Sequence, residues 1–161
     1  MVHSHTVGLL YGVDITMRIT KAADYAIRCV LFLSESDDKQ VSQRVRIAEA
    51  MDIPAHFLAK IVQKLAVAGI VRIARGPAGG CQLIKTPDDV TLLDVIEAVD
   101  GRIIVSDCLM GSGICSRERK CPIRSAWTRI GGNLRKQLGS VTFASLIENS
   151  TQRSTSGEND K

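Results

Sequence analysis

One stretch of the chain leaves few folds open. Residues 44–51, RVRIAEAM, form a short helical pattern for which Ser42 is the expected cap, and Asp52-Ile53 makes a turn. Pro54 stands at a first helical position, where its missing N–H costs nothing. A second helical pattern, PAHFLAKIVQKLAVA, runs over 54–68 and stops at Gly69. Two short helices joined by a tight turn, the second amphipathic and basic, are a helix-turn-helix. Behind them, two β-prone runs, IVRIA and CQLIK, flank the Gly/Pro-rich tip RGPAGG. That pattern predicts a β-hairpin, and a hairpin directly after a recognition helix is a wing.

The rest of the chain is organised around this unit. From Met17, MRITKAADYAIRCVLFL is an amphipathic helical pattern capped by Thr20, and SESDDKQVSQ breaks it. Pro87 ends the hairpin. Thr91 then caps TLLDVIEAVDG, with Asp94 in the capping-box position. An irregular cysteine-bearing loop fills 102–121, followed by a long helix over about 123–138 with a soft spot at Gly131-Gly132. Thr142 caps a last short helix, FASLIEN. The expected organisation is a DNA-binding domain over 17–87, a cysteine loop and helical region over 88–149, and a disordered tail over 150–161. Residues 1–16 read either as a disordered arm or as an upstream extension of a chain that starts at Met17.

Of 161 residues, 45% are apolar and only 4% aromatic, which suits an aliphatic helical core. No apolar run is long enough for a membrane-spanning helix, so none is expected. Residues 1–16 lack Lys and Arg and make a poor secretory signal, so the expected location is the cytoplasm. The net charge of +4 is unevenly placed: residues 17–87 hold 11 Lys/Arg against 6 Asp/Glu, and residues 88–161 hold 10 against 10. A local basic excess favours a polyanionic partner.

On the third helical pattern, Phe57, Leu58, Ile61, Leu65 and Ala68 are spaced to face the core. Opposite them, His56, Lys60 and Lys64 form a stripe, with Gln63 and Val67 beside it. Residues near the start of a recognition helix reach deepest into a major groove. His56 and Lys60 are therefore the expected base readers, and Lys64 the expected phosphate contact. At the wing, Arg75 is placed to enter a minor groove or hold a phosphate, and Arg72 adds charge at the base. Glycines such as Gly79 let backbone N–H groups approach a phosphate, although a hairpin turn needs glycine for its own geometry as well.

Five cysteines are present, and Cys108, Cys115 and Cys121 cluster in the loop over 102–121. An odd count without a secretory signal argues against a disulfide framework and for a metal or redox site. The C-x6-C-x5-C spacing contains none of the close C-x2–4-C pairs of structural zinc sites. Long spacings in a Gly/Ser-containing loop suit a bulkier ligand such as an iron–sulfur cluster. Three thiolates leave one position open, and the histidines (His3, His5 and His56) are remote in sequence. Cys29 and Cys81 read as small core residues.

MRITKAADYAIR, the helix-turn-helix, RGPAGG, VTLLDVIEAVDG and the three-cysteine loop before a long helix together resemble the Rrf2 family of winged-helix bacterial transcription regulators. The resemblance covers about residues 17–149. It implies a mainly α fold with a β-hairpin wing and a long dimerisation helix over 123–138. It also implies a homodimer, a repressor type included, that binds double-stranded DNA at a palindromic operator. Cys108, Cys115 and Cys121 match the family's cluster ligands. Iron–sulfur biogenesis regulators carry a histidine shortly after the third cysteine, whereas Arg124 stands here, which favours 4Fe–4S over the possible 2Fe–2S. In nitric oxide sensors an aspartate near the start of the first helix, from the opposite subunit, can complete a 4Fe–4S cluster, and the matching residue is Asp24. Without the resemblance, Asp24 is a first-turn acid with Arg28 at i+4.

No nucleophile–base pairing or phosphate-binding loop is visible, so an enzyme is not expected. The leading expectation is a regulator whose DNA binding is controlled by a cluster sensing nitric oxide, redox or iron status. A thiol- or zinc-based regulator using the same cysteines is one alternative. An iron–sulfur electron-transfer or assembly protein is another, which the basic helix and wing disfavour.

Overall fold

A computed structural model describes residues 19–36, 40–76 and 79–156. The expectations for 1–16, for the wing-tip residues 77–78 and for 157–161 lie outside the described residues. Among the described residues, six helices and one hairpin follow in order: α1 (Lys21–Glu35), α2 (Arg44–Ala50), α3 (Ala55–Val67), β1 (Val71–Ala74), β2 (Gly80–Leu83), α4 (Leu92–Asp100), α5 (Pro122–Gly139) and α6 (Phe143–Ser156). Short 3-10 turns lie at Pro87–Asp89, Asp107–Leu109 and Glu118–Lys120.

Local chemistry sets the helix starts. The Thr20 hydroxyl accepts the Ala23 N–H at 3.1 Å, and Thr91 with Asp94 forms a complete capping box. Thr142 accepts the Ser145 N–H at 3.2 Å. The expected Ser42 cap is absent, because Gln43 holds the cap position of α2 without a side-chain bond. Ser42 instead pairs with Cys81, their backbones exchanging bonds of 2.9 and 3.0 Å, which ties the wing to the entry of α2. Pro54 precedes α3 rather than opening it. Helix α5 passes through Gly131-Gly132 unbroken, and α6 runs to Ser156, so the expected disorder from 150 gives way to helix as far as that residue.

The core joins Ala26, Cys29, Val30 and Leu33 of α1 to Ile47 of α2, to Leu58, Ile61, Val62 and Leu65 of α3, and to Val95 and Val99 of α4. Phe143, at the start of α6, is wholly buried among them. Chain segments from both sides of α4 meet there too: Leu92 N–H donates to Val141 and Phe143 N–H to Val90, each at 3.0 Å. The core is therefore continuous across the expected boundary at 87/88. Antiparallel β1 and β2 pair Val71 with Leu83 and Ala74 with Gly80. No helix among the described residues is long and apolar enough to cross a membrane.

Candidate functional site

Helix α3 presents one face outward. His56, Lys60, Gln63 and Val67 are exposed, Val67 to 92%, while Leu58, Ile61, Val62 and Leu65 are buried. Phe57 and Ala68, expected in the core, are exposed. At 3.6 residues per turn, Phe57 sits roughly 90° from the centre of the buried arc. Its ring lies 4.5 Å from that of His56 and 5.8 Å from that of Tyr25, so α1 supports the start of the reading helix.

Lys64 is exposed like the rest of the expected stripe. Each i+4 step advances about 40° around the helix, so two steps from His56 bring it to the edge of the outward face nearest α4. Its Nζ donates to the carbonyl of Val99 in the last turn of α4. The outward stripe centres on His56, Lys60, Gln63 and Val67, with Lys64 at its edge and its ammonium bonded to the end of α4.

On the wing, Arg72 and Arg75 are both exposed. Gly79 differs from the expectation of a phosphate-facing amide. Its N–H donates to the Gly76 carbonyl at 2.8 Å, and a Cβ there would meet the Ala74 and Gly76 carbonyl oxygens at 2.7 Å. The turn's own geometry requires that glycine.

The cysteine loop runs from the end of α4 to the start of α5. Cys108, Cys115 and Cys121 are half-buried free thiols. Cys115 and Cys121 line one open cavity of about 890 Å3, together with Ser112, Arg117, Glu118 and Ile123. Cys108 stands apart, its Sγ 3.2 Å from the Ser106 hydroxyl. Arg124 acts as a clamp: it donates to the Cys108 carbonyl and lies 3.7 Å from Glu118, which accepts the Gly113 N–H at 2.7 Å. Among the described residues no three His, Cys, Asp or Glu side chains are close enough to hold one metal ion. The donor chemistry, three thiols outside any disulfide on one Gly-containing loop, fits iron and sulfide; to share one cluster, Cys108 would have to close on the other two.

Asp24 pairs with Arg28 at 2.8 Å, both about half exposed. Cys29 and Cys81 are wholly buried, as expected of core residues. Their mutual contact, with burial, pushes the Cys29 thiol well above its ordinary range. Sequence reasoning missed the roles of Lys64, Glu97 and Arg124 inside the fold, since no local pattern marks a contact made across many residues.

A family profile described as an iron-dependent transcriptional regulator, Rrf2, matches residues 19–149. Among curated relatives, the HTH-type transcriptional regulator NsrR of Geobacillus kaustophilus is 29% identical over 82% of this chain and 90% of its own length. IscR of Escherichia coli O1:K1 is 28% identical over 88% of this chain and 86% of its own. The structure of CymR, the global cysteine regulator of B. subtilis, superposes with a TM-score of 0.67 at 24% identity, covering 83% of this chain and 98% of that one. The likeness to that structure gives the winged-helix fold, and the named relatives are regulators rather than enzymes. The chain belongs to the Rrf2 family of DNA-binding transcriptional regulators.

Proposed function

We propose that this protein is a homodimeric repressor of the cytoplasm whose DNA binding is controlled by an iron–sulfur cluster on Cys108, Cys115 and Cys121. The observation that carries this reading is the placement of three free, half-buried thiols on one loop between the winged-helix core and α5. The cluster would supply iron open to attack by nitric oxide or oxygen and a charge that changes with redox or iron status. A 4Fe–4S cluster is favoured, with Asp24 of the partner subunit as the harder, more labile fourth donor. The family's description as an iron-dependent transcriptional regulator supports control of this kind.

On the DNA side, His56 and Lys60 read base edges from the exposed start of α3. Arg72 and Arg75 hold phosphates or the minor groove from the wing. The dimer forms along α5, where Ile123, Trp127, Ile130 and Leu134 make an exposed apolar seam at 4-3-4 spacing. Two wings and two reading helices then meet a palindromic operator.

A second reading, a thiol- or zinc-based regulator, draws on the separation of Cys108 from the cavity shared by Cys115 and Cys121. Absorbance with iron and sulfide counts on protein purified without oxygen separates the two. Visible bands that vanish in Cys108→Ala, Cys115→Ala or Cys121→Ala, and persist in Cys29→Ala and Cys81→Ala, support the cluster. A colourless protein that still changes DNA affinity on thiol oxidation or zinc addition supports the second reading.

A further inference from the structure

The last turn of α4 gathers contacts from α1, α3, α5 and the stem of the cysteine loop. Glu97 accepts the Ile103 N–H at 2.9 Å, at the stem of the cysteine loop, and pairs with Arg135 of α5. The carbonyl of Val99, further along the same turn, takes the Lys64 ammonium from α3. Asp100 accepts the Thr20 hydroxyl at 2.8–2.9 Å, and Thr20 is the cap of α1. Each contact has a local cause. Carbonyls in a last helical turn lack partners and sit at the negative end of the helix dipole, where a lysine is favoured. A carboxylate beside them suits the loop N–H and the guanidinium.

The two arginines of α5 extend the chain of contacts. Arg124 and Arg135 stand three helical turns apart and so share one face. Arg135 reaches Glu97, and Arg124 reaches the Cys108 carbonyl. The segment from Ile103 to Cys108 is therefore held at its beginning by α4 and at its end by α5. A closure of the loop that brings Cys108 toward Cys115 and Cys121 pulls on both holds.

We propose that the last turn of α4 is the joint through which the state of the cysteine loop reaches the DNA-reading helix, with Glu97 and Lys64 as its two positioning residues. This rests on the reading of the loop as the sensing site and of α3 as the reading helix. Displacing Ile103 or Arg135 releases Glu97 and lets the α4 terminus shift. Lys64, bonded to that terminus, shifts α3 with it. Half-buried contacts such as those of Glu97 and Lys64 pass between discrete arrangements rather than deforming smoothly. Couplings between two sites in proteins are commonly on the order of 5–150-fold in affinity.

The test uses the full chain and a duplex selected from a random library by the wild-type protein. Lys64→Met keeps the apolar stem and removes the donor; Lys64→Arg restores a donor. Expected for Lys64→Met is an unchanged salt slope of binding, with the affinity ratio of cluster-loaded to cluster-free protein falling toward one, and recovery in Lys64→Arg. Expected for Glu97→Gln is the same loss of ratio, with faster hydrogen exchange both in 101–109 and in α3 of the cluster-free protein. If Glu97→Gln does not fold, Arg135→Gln removes the same pair. A Lys64→Met slope lower by about one with the ratio intact makes Lys64 a phosphate contact and overturns the joint. Exchange that rises only in 101–109 overturns it as well. If loaded and free wild type bind DNA equally, cluster control itself fails, and the α3 exchange of Glu97→Gln alone decides the joint.

Discussion

The guanidinium of Arg124 donates to the carbonyl of Cys108, so the first turn of α5 holds the first cysteine of a loop whose third cysteine directly precedes that helix. The same side chain lies 3.7 Å from Glu118, whose carboxylate takes the Gly113 N–H. Three parts of the loop thus converge on one residue. Arg124→Gln removes the charge and the Nη1 that faces both the Cys108 carbonyl and the Glu118 carboxylate. The expected result is a cluster that forms but bleaches several-fold faster in air, with faster exchange of the Gly113 amide in the cluster-free protein. Arg124→Lys recovers part of both.

Two glycines give opposite responses to a single methyl group. A Cβ on Gly80 would stand 2.0 Å from the carbonyl oxygen of Ser42, and that strand cannot retreat because Ser42 and Cys81 exchange both backbone bonds. Gly80→Ala is expected to cost more than about 2 kcal/mol by forcing the wing off α2. Gly132 lies inside α5 with nothing near its would-be Cβ. Gly132→Ala is expected to gain about 0.5–1 kcal/mol from helix propensity. Denaturant midpoints of the two variants check both.

The α5 seam predicts an oligomeric state. Ile123, Trp127, Ile130 and Leu134 are 37–60% exposed in the single chain and lie on one face of α5, an apolar stripe that a partner helix would cover. Trp127→Glu places a charge at the centre of that seam and is expected to weaken the dimer at least about tenfold. Sedimentation velocity across a concentration series reads the shift, and an unchanged far-UV spectrum shows that the monomer remains folded. If each subunit engages one half-site, as proposed, DNA affinity is expected to fall with it.

Much of this fold is written locally. Thr20, Thr91 with Asp94, and Thr142 are caps whose partners lie one helical turn away, so spacing alone reveals them. The wing strands follow from two β-prone runs around glycines. Ser42 is different: it looks like a cap for α2, but its partner, Cys81, comes from the second wing strand, beyond α3. Lys64 is different in the same way, since i+4 spacing puts it in the basic stripe while Val99 of α4 claims its ammonium. The cysteine triplet is legible as chemistry, and its clamp is not, because Arg124 is recognisable only from the carbonyl it meets. Contacts of high sequence separation decide the site's geometry, and composition or period carries no trace of them.

Asp24 is the residue for which a bland role and a functional one separate most sharply. Its carboxylate pairs with Arg28 at 2.8 Å, in a position open to solvent. Arg28 has other holds: it reaches the Met51 carbonyl at 3.4 Å and lies 5.8 Å from the centre of the Tyr25 ring. Removing Asp24 therefore leaves Arg28 anchored, and an exposed i,i+4 pair contributes only a few tenths of a kcal/mol. Asp24→Ala is expected to leave the unfolding midpoint nearly unchanged. If the carboxylate is the fourth donor, the variant holds a cluster on its cysteines that decays faster under nitric oxide or air and responds differently on DNA. A mixed dimer shows which chain donates. One subunit carries Asp24→Ala and the other carries Cys115→Ala, so only the first retains three thiols, and its partner retains the only Asp24. Donation across the dimer gives half occupancy with the wild-type lifetime. Donation within one chain gives half occupancy with the short lifetime of Asp24→Ala. Equal lifetimes in Asp24→Ala and wild type would leave Asp24 as a helix-start ion pair and assign the fourth position to another ligand.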